Sequence, residues 1–149
     1  MPFTGPSDDI LAIRNLIDAY SDAVMQGDAD AWGALWAEDS YWSLPEFPGH
    51  EEFIGREAIV AGWKWSMELY GRPREDGGVP VMIYVATPGS IVVDGDTATV
   101  RYYTSEIADW PGKAKESRTR GQYDDELVKV DGRWLFRKKI YKTLHVSDG

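Results

Sequence analysis

Glu106 is the first side chain whose placement suggests chemistry. It lies in a period-two segment, Thr97 to Ala108, and shares a face with Ala98, Val100, Tyr102 and Thr104. The opposite face carries Thr97, Thr99, Arg101 and Tyr103, so Glu106 falls on the more apolar side. Acidic side chains are almost never fully buried unless paired. Burial raises a carboxyl pKa toward the range useful for a general base. The competing reading is that the strand twists or ends by Ser105 and leaves Glu106 solvated at a rim. Two further acids, Asp124 and Asp125, follow Tyr123, and either strand phase leaves one inside. Asp124 shares a face with Val128 and Val130, Asp125 with Tyr123 and Leu127. Each has an alternative as the partner of a neighbouring-strand Arg or Lys. In the last strand Trp134, Phe136, Ile140 and Leu144 share a face, with Lys138 and Lys142 in phase. Lys142 is a candidate cation there, or a lysine snorkelling at the sheet edge.

Other chemistries lack their residues. The chain has no cysteine, hence no thiol nucleophile and no thiolate metal site. His50 and His145 stand in different regions without metal-ligand spacing; His50, in the loop before the third helix, could act from a lid over the mouth, with a surface-loop histidine as the default reading. There is no Gly-rich phosphate loop, no Ser nucleophile elbow and no dinucleotide fingerprint. No cofactor and no metal is expected.

These side chains need a scaffold, and the hydrophobic pattern outlines one. Asp8 to Met25 carries an apolar helical stripe of Ile10, Ile13, Leu16, Ile17, Tyr20 and Val24, with Ser7, Asp8 and Asp9 as start signals. Asp28 caps a second helix reaching about Ala37, followed by a strand from Ser40 to Leu44. Pro45, Pro48 and Gly49 mark a loop, and a third helix runs from Arg56 to Tyr70. Gly71 to Gly78 is a polar loop, and from Val79 the period becomes two. Pro88-Gly89 marks a bulge or bend, Pro111-Gly112 a turn, and Asp94-Gly95 and Asp131-Gly132 two hairpins. Helices first and antiparallel strands last predict an α+β fold: a strongly curved sheet closed into a cone by three N-terminal helices on its concave face. The mouth of such a cone is a natural ligand site.

The composition agrees. The 149 residues make one domain, residues 1–149, and a net charge of −9 argues against nucleic acid. No signal peptide and no membrane span is read, so a cytoplasmic protein is expected. Seven Trp and eight Tyr imply either an unusually aromatic core or a pocket for a flat apolar ligand. Trp36, Trp42, Trp63 and Met67 are the candidate pocket lining.

The run from Tyr20 through Gly27-Asp28, Leu35-Trp36-Ala37-Glu38-Asp39 to Pro45 is distinctive in its spacing. So are Gly55-Arg56-Glu57-Ala58-Ile59, Gly121-Gln122-Tyr123-Asp124 and Val130-Asp131-Gly132-Arg133-Trp134. In order and spacing they resemble the nuclear-transport-factor-2-like superfamily over nearly the whole chain, most closely its SnoaL-like and scytalone-dehydratase-like branch. The superfamily includes ketosteroid isomerase, polyketide cyclases and dehydratases, so membership alone does not fix an activity. The resemblance implies a cone-shaped α+β barrel and an enzyme that handles a carbon acid beside a carbonyl. It places Tyr20 at an oxyanion-donor position and one of Asp124 and Asp125 at the protonated acid of the isomerase. It puts Glu106 near the acid of the cyclases and Lys142 at a basic position of the dehydratases. Leu44 stands where the isomerase has its base. Met25 and the strand residues Tyr84, Ala86 and Thr87 stand where dehydratases keep an Asp and a His.

The expected function is therefore a cofactor-free lyase or isomerase, dehydratase- or cyclase-like, abstracting a proton from a cyclic, partly aromatic ketone or enol. Glu106, Asp124 or Asp125 would be the base, and Tyr20, Tyr84 and Tyr123 the oxyanion donors. The alternative is a non-catalytic ligand-binding or assembly module of the same fold. A homo-oligomer, dimer or trimer, is expected in either case.

Overall fold

The computed structural model describes residues 2–70, 82–108 and 117–148. The loop expected over Gly71 to Gly78 and the Pro111-Gly112 turn lie outside the described residues. In chain order the elements are β1 (Phe3–Thr4), α1 (Ser7–Gln26), α2 (Ala29–Gly33), β2 (Trp36–Ser43), β3 (Phe53–Ile54), α3 (Arg56–Tyr70), β4 (Met82–Asp94), β5 (Thr97–Ala108), β6 (Ser117–Val130) and β7 (Arg133–Asp148). The strands form one sheet in the order β1-β4-β5-β6-β7-β2-β3. Long antiparallel pairings join β4 through β7. The α+β architecture follows the sequence pattern. No helix of the described residues is long and apolar enough to cross a membrane.

Local signals place most boundaries. The Asp28 carboxylate accepts from the Ala31 amide at 3.0 Å and starts α2. Asp131 and Gly132 have φ of 50° and 78°, the paired left-handed residues of a tight hairpin turn. The pairing of β4 with β5 shifts between Pro88 and Ser90, where the bulge was expected. Three details differ from the sequence reading. The second helix ends at Gly33, because Trp36 pairs with Phe136 and is drawn into β2. The sheet is mixed: β2 runs parallel to β7 and the short β1 parallel to β4. At the start of α1 the N-cap is Pro6, without a side-chain cap. Asp9 instead accepts from the Trp134 indole at 3.0 Å and from Lys129 at 3.1 Å, tying α1 to the β6–β7 hairpin.

The core is largely aromatic. Trp32 is fully buried, stacks on Trp63 at 4.7 Å, and meets Tyr20, Trp36 and Trp42 at 5.3–5.6 Å. Rings of this size bring large buried area and fix one another's orientation. Their fit depends on missing side chains elsewhere. Gly121 on β6 lies directly under the Tyr141 ring of β7, and a methyl group there would overlap the phenol. Gly121→Ala is expected to cost about 1–3 kcal/mol through this overlap. Thermal denaturation should show the loss, and Tyr141→Leu in the same chain should recover most of it.

Candidate active site

A hollow opens between the inner sheet face and helices α1 and α3. Its empty space is about 670 Å³ when the open solvent at its mouth is counted. Tyr84, Thr104, Glu106, Tyr123 and Tyr141 come from strands β4 to β7. Tyr20 and Val24 come from α1; Trp63, Ser66 and Met67 come from α3. Trp42 and Leu44, then Phe47 and His50 from the following loop, complete the wall.

Glu106 reaches this hollow because β5 keeps its alternation through Thr104. Burial alone raises its pKa from 4.5 to about 7. No ion pair holds it among the described residues. The folded chain thus binds this proton more tightly than the unfolded chain does. The stability this proton contributes is complete below about pH 4.5 and is lost as the pH rises through about 7. Directly across the β4–β5 ladder from Glu106 stands Tyr84. The Tyr84 hydroxyl is buried and has no hydrogen-bond partner among the described residues. An unsatisfied buried hydroxyl costs about 1–3 kcal/mol, so a ligand oxygen here would be well received. Burial holds the phenols of Tyr20, Tyr84 and Tyr123 well above 10 and pushes Tyr141 up to about 12. All four stay protonated at neutral pH and can donate. The Trp42 indole donates to the Tyr123 hydroxyl at 3.2 Å and orients it.

The remaining residues singled out in the sequence are distributed unevenly. Trp42, Trp63 and Met67 line the hollow, while Trp36 is fully buried in the core and does not. Of the two neighbouring acids, Asp125 is inside and Asp124 is exposed, with Gln122 donating to it at 3.1 Å. Lys142 is exposed on the outer side of β7. The inward cation is Lys139, fully buried, with Nζ 2.7 Å from Asp125 Oδ2. The reason is a shift in the β6–β7 pairing at Glu126/Leu127, where Glu126 meets Lys138 and Leu127 meets Phe136. One extra residue in β7 flips the phase, so Lys139 and Tyr141 point inward in place of Lys138, Ile140 and Lys142.

Lys139 sits in an aromatic cage. Its ammonium lies 3.9–4.5 Å from the ring centroids of Tyr20, Tyr102, Tyr123 and Phe136 and also meets the Tyr102 hydroxyl. Burial pushes the lysine pKa down and the Asp125 pKa up; their mutual attraction opposes both. Since Tyr20 and Tyr123 belong to the hollow's wall, the ion pair braces that wall from behind.

Sequence reasoning missed Ser66 and the burial of His50. His50 is buried where a surface histidine was expected. Its Nε2 lies 2.5 Å from Ser66 Oγ, which is itself 3.1 Å from the Gly62 carbonyl. The loop folds back through hydrogen bonds Leu44 N–H to His50 O at 2.9 Å and His50 N–H to Phe47 O at 3.0 Å. Those bonds turn the ring inward, between Phe53 and Trp65. Burial lowers the His50 pKa, so the ring is neutral at pH 7.

With this geometry in place, comparison with known proteins decides the family. The model of the SnoaL-like domain matches residues 6–139. The chain belongs to the SnoaL-like family. That family lies in the nuclear-transport-factor-2-like superfamily. No curated protein matches the chain. Among solved structures, it is similar to a scytalone dehydratase-like protein from Novosphingobium aromaticivorans, with 23% identity over 95% of this chain and 88% of that one and a TM-score of 0.73. It is similar to the hexachlorocyclohexane dehydrochlorinase LinA-type3 from Novosphingobium barchaimii at 15% identity, 94% and 89% coverage and a TM-score of 0.75. The Kfla4162 protein from Kribbella flavida shares 14% identity over 95% and 94% of the chains, with a TM-score of 0.80. At these identities the likenesses show the shared cone fold.

The ion pair yields a direct prediction. Lys139→Met leaves Asp125 buried without its cation and should cost about 3–5 kcal/mol in urea unfolding. Adding Asp125→Leu should return most of that stability.

Proposed function

We propose that this SnoaL-like protein is a cofactor-free lyase or isomerase that removes a proton from a cyclic, partly aromatic ketone or enol, followed by loss of water or a double-bond shift. The observation that carries this reading is the Glu106–Tyr84 pair. A carboxylate held near a pKa of 7 lines an aromatic hollow directly across the sheet from an unpartnered buried hydroxyl. Ionised Glu106 is the base, and Tyr84 donates to the oxygen on which charge develops. Tyr20 and Tyr123 are further donors, and Trp42, Trp63 and Met67 clasp the ring. Asp125 is the structural partner of Lys139 in this reading, and Asp124 and Lys142 take no part. SnoaL-like and scytalone dehydratase-like neighbours support a lyase- or isomerase-type fold.

A binding module without chemistry is the second reading. Met25 favours it: its sulfur lies 3.1 Å from the Tyr84 amide, so an apolar side chain fills the place that the resemblance gives to an acid. Exposed Ile83, Val85 and Tyr103 on the outward side of β4 and β5 support a homo-oligomer under either reading.

Solvent deuterium exchange separates the two. Cyclic aryl ketones such as tetralones, incubated with the protein in D₂O, should gain deuterium beside the carbonyl. The rate should rise through about pH 7 as Glu106 ionises, then level off. Glu106→Gln should slow exchange about 100-fold or more, and Tyr84→Phe by a smaller factor. Equal rates in wild type and Glu106→Gln would remove Glu106 as the base.

A further inference from the structure

The proton-transfer reading leaves two residues of the cavity wall unused. Ser66 and His50 are both buried, line the same cavity, and stand 2.5 Å apart through Oγ and Nε2. A nucleophilic serine needs a base within reach, a third group that orients the base, and a donor for the oxyanion. Each is present. The third group is the Pro48 backbone, whose electrostatic effect favours a hydrogen on the His50 ring. A hydrogen on Nδ1 leaves Nε2, the nitrogen against Ser66, bare and able to take the Ser66 hydrogen. The Gly62 carbonyl competes for that hydrogen at 3.1 Å, the longer contact. The ring is held edge-on to Phe53 at 6.0 Å and against Trp65 at 5.0 Å. Phe53 in turn presses on Gly62, where a Cβ would not fit, and this fixes the pair against α3. The unpartnered Tyr84 hydroxyl lines the same hollow as a donor for an oxyanion.

We propose that Ser66 is a nucleophile activated by His50, giving this cavity an acyl-transfer activity toward esters of flat, apolar acids. Ser66 Oγ attacks the ester carbonyl while its proton passes to His50 Nε2. The carbon–oxygen bond to the alcohol then breaks, and the departing oxygen takes the proton from His50. Water enters by the same route, attacks the acyl-serine, and releases the acid with Ser66 and His50 restored. No metal or redox partner is required.

The experiment is covalent trapping. Folded wild-type protein is treated at neutral pH with phenylmethylsulfonyl fluoride and, separately, with p-nitrophenyl acetate. Intact mass and peptide mapping then locate any adduct. The expected result is one sulfonyl group on Ser66, absent in Ser66→Ala, with labelling about 100-fold slower or more in His50→Gln. Nitrophenol release should fall in step. Ser66→Cys provides a second reading: iodoacetamide should alkylate it faster with His50 present than in Ser66→Cys/His50→Gln. No adduct on Ser66 in folded wild type, or labelling and alkylation unaffected by His50→Gln, would overturn the proposal. The trap does not involve α-proton exchange, so its failure leaves the Glu106 reading standing, and the reverse holds as well.

Discussion

A carboxylate set among phenol and indole rings must find a cation or keep its proton. The SnoaL-like chain contains both solutions, one on each side of the same aromatic wall. Asp125 takes Lys139 as its partner at 2.7 Å, and the pair is sealed from solvent. Glu106 has no such partner among the described residues, and burial is the cause of its raised pKa. The first arrangement consumes its charge in holding the structure together. The second leaves a titratable group facing an open cavity, which is what proton transfer near neutral pH requires.

The hollow persists because the rings around it are fixed by one another. Trp32 is the hub: it stacks on Trp63 and touches Trp42 and Tyr20, and these three also line the cavity. Behind Tyr20 and Tyr123 the Lys139 ammonium meets their ring faces, an attraction strengthened by the absence of water. Two glycines permit the close approaches, Gly121 beneath Tyr141 and Gly62 beneath Phe53. The aromatic surplus in the composition therefore serves core and pocket at once. The choice posed by the sequence, an aromatic core or a ligand pocket, resolves into a shared wall.

How far the sequence carried can be judged residue by residue. The hairpins at Asp94-Gly95 and Asp131-Gly132, the Asp28 cap and the Pro88 bulge are local signals, and local signals survive folding. Glu106 was legible because β5 alternates through Thr104; from Ser105 to Ile107 the alternation gives way to half-burial, so Glu106 faces the cavity near its rim. Lys139 was not, because its inward phase depends on an extra residue in β7 between Phe136 and Lys138, set by pairing with β6. Extending period two through that point puts Lys142 inside and Lys139 outside, the reverse of what forms. His50 was hidden for a different reason. Its burial depends on a loop that doubles back onto α3, and a segment carrying Pro45, Pro48 and Gly49 gives no periodic clue to that path. The His50–Ser66 contact joins residues 16 apart in sequence, and neither alone looks like more than a polar side chain.

The central claim is that Glu106, half-buried in the cavity wall, holds its proton close to neutrality. Carbon-13 NMR of protein labelled at the glutamate carboxyls tests it most directly, with Glu106→Gln identifying the resonance. The account predicts a titration midpoint of about 7 for Glu106. A midpoint near the ordinary 4.5 would show the side chain to be solvated and would remove the basis for proton abstraction in this pocket.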